Sequence, residues 1–388
     1  MPQRKEKETS MMTSKGGTAR LWTMLVLLVG MLLAACAPDS GNGTDTTEGS
    51  DDSVIGGDDG PAGLGDTLVI ATWPNYHDQA TIDGFTEETG VAVSINVYGS
   101  TEEMEALLRA GDSGIDILMP THYAVPGWIE DGLLQELDYE AMGNPDLSNW
   151  NELFVDQDFD PGNTYTIPKN WGTTGIIYGP DAGEPVTSWV DFFARAVDDL
   201  DNRALIVDHQ ISTIGSAAVA MGYDLNTTDE AELAEIETML TELKPHVWAI
   251  SSDVQPPLRN GDTWASMAWT GDGVQVVRDN PDYVYVIPDD GGELWVDNWT
   301  IAADAPHLPA AYAFMEYILR PENSAADTEF SLFPHANPDV IPLLSDEVAN
   351  NPVIYPDQEA ISRMTLSSAE AYNSEARAEM WARVKASS

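Results

Sequence analysis

Three short apolar runs separated by two segments of helical periodicity occupy residues 67–120, and this alternation restricts the fold more than any other feature of the chain. Thr67-Leu68-Val69-Ile70-Ala71 is the first run. In the second, Val91, Val93, Ile95 and Val97 alternate with Ala92, Ser94 and Asn96; the third is Ile115-Asp116-Ile117-Leu118-Met119, stopped by Pro120. Between them the spacing predicts a helix over 79–89, ended by Gly90, and another opened by the capping box Ser100-x-x-Glu103 and carrying Met104, Leu107 and Leu108. A β-α-β-α-β order of this kind requires parallel pairing with helices on the sheet faces.

The same style returns later without repeating the sequence. Residues 204–207 read as a strand, and Asp229-x-x-Glu232 opens a helix with Leu233, Ile236, Leu240 and Leu243 on one stripe. A further strand over 284–287 and a helix over 310–319, closed by Arg320-Pro321, follow. Two α/β lobes are expected, since residues 67–388 are more than one hydrophobic core ordinarily organises.

The segment before residue 67 has a different character. Arg4, Lys5, Lys7, Lys15 and Arg20 lead into an apolar run that ends Met31-Leu32-Leu33-Ala34-Ala35-Cys36 and is too short to span a bilayer comfortably. Residues 1–35 read as a lipoprotein signal peptide, which places the chain's single cysteine, Cys36, for acylation and membrane anchoring; the alternative is an uncleaved anchor with a bystander cysteine. Residues 36–66 are rich in Gly, Ser, Thr and Asp, with no Lys or Arg, and read as an acidic flexible tether.

The formal net charge of −48, from 65 acidic and 17 basic residues, makes nucleic acid and anionic lipid headgroups poor partners. It suits a cationic ligand, although most of it also reads as adaptation to salt or solubility at a cell surface. Catalytic signatures are missing: there is no phosphate loop, no H-E-x-x-H and no G-x-S-x-G, and the six His are not spaced as a metal pair. A binding protein without cofactor or metal is expected rather than an enzyme.

Several segments share an order with one group of proteins: Leu68-Val69-Ile70-Ala71-Thr72-Trp73-Pro74-Asn75-Tyr76, Phe85-Thr86-Glu87-Glu88-Thr89-Gly90, Asp116-Ile117-Leu118-Met119-Pro120-Thr121-His122-Tyr123, Tyr165-Thr166-Ile167-Pro168, Trp171-Gly172-Thr173-Thr174-Gly175, Thr187-Ser188-Trp189, Trp269-Thr270-Gly271-Asp272 and Trp295-Val296-Asp297. In these the chain resembles the bacterial spermidine/putrescine substrate-binding proteins of ABC importers, from Asp66 to the C-terminus. The resemblance implies an α/β type II periplasmic-binding-protein fold: two lobes, 67–172 with 296–340 and 173–295 with 341–388, joined by crossover hinge strands around a central ligand cleft. It also implies a monomer that delivers its ligand to a membrane permease.

A polyamine is a string of ammonium groups on methylene stems, so its site needs aromatic walls and carboxylates. The resemblance implies that Trp73, Tyr76, Thr121, Tyr123, Trp269 and Trp295 line the cleft and that Asp297 grips an amine; ordinary core packing is the other reading of each aromatic. Asp272 matches the putrescine-preferring members, its alternative being a solvated turn beside Gly271 and Gly273. Trp22, Trp128, Trp189, Trp248 and Trp264 are assigned to packing. The chain also departs from the spermidine type. His209 and Ser212 stand where that type has an acid and a glutamate, Ser367 stands for a glutamine and Phe333 for a tyrosine. Asp208 substitutes for the missing acid if the loop shifts by one residue, and a diamine such as putrescine is favoured over spermidine. A quaternary ammonium, a sugar or ferric ion on the same fold, or a glycosidase using Asp272 and Asp297 ~5–10 Å apart, are the other readings.

Overall fold

Two long strands with every residue buried form the centre of the structure, a computed structural model that describes residues 63–387. The expected signal peptide, Cys36, Trp22 and all of the tether before residue 63 lie outside the described residues. In chain order the strands are β1 (Thr67–Thr72), β2 (Ala92–Val97), β3 (Ile117–Leu118), β4 (Ile167–Tyr178), β5 (Ala204–Ile206), β6 (Ala249–Ile250), β7 (Ala265–Trp269), β8 (Val284–Val286), β9 (Gly292–Ile301) and β10 (Met364–Leu366). The sheet order is β2-β1-β3-β9-β4-β7-β5-β6, with β8 on β4 and β10 on β9.

The pairing is parallel toward both ends and antiparallel in the middle. β1 runs parallel to β2 and β3, as the β-α-β-α-β reading requires, and β5 runs parallel to β6 and β7. β9 pairs antiparallel with β3 and β4, and β4 pairs antiparallel with β7. β4 and β9 therefore join two parallel half-sheets. Neither gives a strand signal in sequence, because burial on both faces removes the polar alternation and Pro168 argues against a central strand. The structure accommodates that proline with a register shift between Pro168 and Trp171, where the Trp171 N–H turns to the Pro334 carbonyl.

The helix ends follow their local chemistry. Ser100 Oγ accepts from the Glu103 N–H at 3.1 Å, while Glu103 reaches back to the Gly99 N–H at 2.9 Å, closing the expected box one residue early. Gly90 ends the helix Gln79–Thr89 with φ 76°, a conformation that costs other residues a Cβ clash. Arg320-Pro321 does more than end a helix: Leu308–Ile318 stops there and a second helix, Pro321–Ser331, begins with proline in its first turn, where no N–H is needed.

One apolar core gathers Leu68, Ile70, Phe85, Ile117, Trp299 and Phe314; another gathers Ile176, Trp189, Phe192, Leu205, Leu240 and Met267. A third cluster carries Tyr98, Tyr123 and Trp128 together with Ile211, Ala371 and Tyr372 from the later chain. Trp128 and Trp189 are core residues as assigned, Trp264 packs at the edge of a core, and Trp248 is 43 % exposed.

Candidate ligand-binding site

Alternation along β9 puts Glu293, Trp295, Asp297 and Trp299 on one face of the strand. Asp297 is 4 % exposed and lies opposite Thr121, on the loop after β3. Its two oxygens accept from Thr121 Oγ1 and from Tyr76 Oη, each at 2.6 Å, so three of the expected residues converge on one carboxylate. No basic side chain among the described residues forms a salt bridge with it. Burial pushes the Asp297 carboxyl up to about 6, against the opposing effect of its two hydroxyl donors and of Lys169.

Trp295 is 5 % exposed, packs edge-on against Phe333 at 5.4 Å, and keeps its indole N–H without a partner among the described residues. Its register partner is Gly172, where an added Cβ would sit 2.6 Å from the indole ring; only glycine leaves room for that tryptophan. Beneath Tyr76 lies a buried ion pair that no motif announces. Lys169 Nζ is 4.1 Å from the centre of the Tyr76 ring and 2.8 Å from Asp327 Oδ2. Asp327 also meets His77 Nδ1 at 3.1 Å and accepts from the Asp78 N–H at 2.9 Å. Burial alone would raise its carboxyl, but Lys169 and His77 hold it well below the usual range.

A second group lies nearer the other core. Tyr123 Oη is 3.0 Å from His209 Nε2, and its ring lies 4.9 Å from that of Tyr372. His209 caps the helix Gln210–Ala220, with Nδ1 2.8 Å from Ser212 Oγ, and stands edge-on to Trp269 at 5.7 Å. The Trp269 indole N–H points to Ser212 Oγ at 3.4 Å. Ser212 donates in turn to Glu293, a buried acid the sequence reading passed over. A signal was present: Glu293 shares the parity of Trp295 and Asp297 in an otherwise apolar segment.

The remaining expected residues fall elsewhere. Trp73 is half-buried, packed against both cores built on β1, with its indole N–H unpartnered among the described residues. Asp272 lies in the first turn of the helix Thr270–Asp279 and accepts from Gln255 Nε2; loss of water contact pushes its carboxyl up to about 6, with Gln255 and Arg259 opposing. Asp208 is separated from the others. Its carboxylate meets Lys385 Nζ at 2.9 Å and the Trp381 indole N–H at 3.1 Å, so the loop shift that would bring it to the ligand is not adopted. Its charge is already spent on the C-terminal helix.

Any cation drawn to Asp297 would need its ionised form, so an affinity that rests on this group should be flat near pH 7–8 and fall below about pH 6, approaching tenfold per pH unit for this group alone. Calorimetric titration between pH 5 and 8 checks this; a constant affinity across that range would contradict it.

A mixed α/β sheet with two antiparallel crossover strands, and an acid among aromatic rings beside them, defines a solute-binding protein of the periplasmic type. The chain belongs to the family of bacterial extracellular solute-binding proteins, which matches residues 80–355; it is a family of binding proteins in transport, not of enzymes. The spermidine/putrescine-binding periplasmic protein of Salmonella typhimurium is 32 % identical over 302 residues, covering 77 % of this chain and 85 % of that one. The putrescine-binding periplasmic protein SpuD of Pseudomonas aeruginosa is 30 % identical, over 82 % of this chain and 91 % of its own. The solved structure of the spermidine/putrescine ABC transporter substrate-binding protein PotD of Streptococcus pneumoniae superposes with a TM-score of 0.69 at 28 % identity, covering 83 % of this chain and 99 % of that one.

Proposed function

We propose that the protein is an extracytoplasmic, lipid-anchored receptor that captures a polyamine, a diamine such as putrescine in preference, and delivers it to the permease of an ABC importer. The observation that carries this reading is Asp297: a buried carboxylate held by the neutral hydroxyls of Tyr76 and Thr121, beside aromatic rings, with no basic side chain bonded to it among the described residues. An acid so placed is costly unless a cation comes to it. Trp73, Tyr123, Trp269 and Trp295 supply the apolar walls for a methylene stem; the resemblance also points to Asp272, whose carboxylate already accepts from Gln255. The names of the relatives point the same way. Residues 67–172 with 296–340 form one lobe in this reading and 173–295 with 341–388 the other. Cys36 carries the lipid, and the protein works as a monomer.

Transport then needs no chemistry. A ligand touching both lobes favours the closed arrangement in which Tyr123 meets His209, and the closed form is what a permease recognises. Thermal unfolding with putrescine, cadaverine, spermidine, spermine and glycine betaine tests the reading. A ligand at about 100 times its dissociation constant stabilises by about 2.7 kcal/mol, and the largest shift is expected with a diamine. A shift with glycine betaine alone would move the assignment to quaternary ammonium compounds, and no shift with any amine would refute it.

A further inference from the structure

Resting on the polyamine reading, we propose that Glu293 receives the second ammonium of the ligand, so that a diamine is held end to end by Asp297 and Glu293 along one face of β9. Glu293 is 1 % exposed. Its carboxylate accepts from three hydroxyls, Thr174 at 2.6 Å, Ser212 at 2.5 Å and Ser367 at 2.9 Å, and from no basic side chain among the described residues. Arg377 feels its field from within the interior, but the Arg377 guanidinium donates to the Leu225 and Thr227 carbonyls instead.

The arrangement repeats the geometry at Asp297: a buried carboxylate that accepts from hydroxyls and forms no salt bridge among the described residues. A carboxylate offers about four lone-pair directions, so three hydroxyl donors leave one for an ammonium. Glu293 and Asp297 are four residues apart on the strand, ~13 Å between backbones, with Trp295 between them on the same face. Trp295 is the second observation: it is 5 % exposed, yet its indole N–H has no partner among the described residues. Trp269 closes on the Glu293 end through Ser212. Asp272, by contrast, already holds Gln255 and has Arg259 close by, so it offers less to a second ammonium.

Titration calorimetry of the protein with putrescine, cadaverine and the monoamine n-butylamine tests the assignment. Glu293→Gln should weaken putrescine at least about thirtyfold, the lower end for truncating one partner of a buried charge pair, while n-butylamine, held at Asp297, changes less than threefold. Asp272→Asn should cost putrescine less than tenfold. Glu293→Asp keeps the charge but withdraws it by one methylene, so preference should move from putrescine toward cadaverine; it decides alone if Glu293→Gln does not fold. Equal losses for diamine and monoamine in Glu293→Gln, unchanged putrescine affinity there, or an unchanged length preference in Glu293→Asp would overturn the assignment. Wild-type protein that binds no amine would instead refute the polyamine reading itself.

Discussion

Replacing Asp297 by Asn should lower polyamine affinity by about 2–5 kcal/mol, thirtyfold and upward, because in the proposed site an ammonium would then be desolvated among aromatic rings without its counter-charge. The side chain keeps its shape and one acceptor, so Tyr76 and Thr121 hold their places and the loss is one of charge. The free protein should respond in the opposite sense. Burial raises the folded-state carboxyl to about 6, above the unfolded value of ~3.9, so the folded state favours the protonated form. The stability this group contributes is complete below the unfolded value and is lost as pH rises through about 6. Above that pH the Asn variant should melt no lower than the wild type, and higher if nothing else shifts. Calorimetry and thermal unfolding at pH 7.5 together check this; an Asn variant that binds amines normally would show that Asp297 is not the anchor.

The second large effect concerns stability. Lys169→Met should destabilise the protein by about 3–5 kcal/mol, since it leaves Asp327 as an uncompensated buried charge. Asp327 would keep the Asp78 N–H and His77, but neither replaces a permanent ammonium at 2.8 Å. The double variant Lys169→Met with Asp327→Asn should recover much of the loss, because a buried pair removed whole costs far less than one broken. Denaturant unfolding of both proteins measures it, and a single-variant loss under 1 kcal/mol would mean that His77 takes the proton and substitutes.

How far the sequence reaches depends on the range of the interaction involved. The elements around β1, β2 and β3 were legible because each half-buried strand and amphipathic helix carries its own periodicity, and because Ser100, Gly90 and Asp229 act within a few residues of themselves. The strands β4 and β9 were not, for burial on both faces erases the pattern by which a strand is recognised. The site divides along the same line. Tyr76, Thr121 and Asp297 were named from sequence motifs, and they meet at one carboxylate. Asp208 was named from its neighbourhood in the chain, and a lysine 177 residues away claims it.

By itself the sequence determined the acidic composition, the α/β alternation and the membership of a binding-protein family, because composition, local periodicity and ordered motifs carry those. Only the tertiary structure decided which group each acid meets. A carboxylate's surroundings depend on what folds against it: Lys385 on Asp208, Gln255 on Asp272, Lys169 on Asp327, and hydroxyl donors on Asp297 and Glu293. Those partners come from distant parts of the chain, and no local pattern records them.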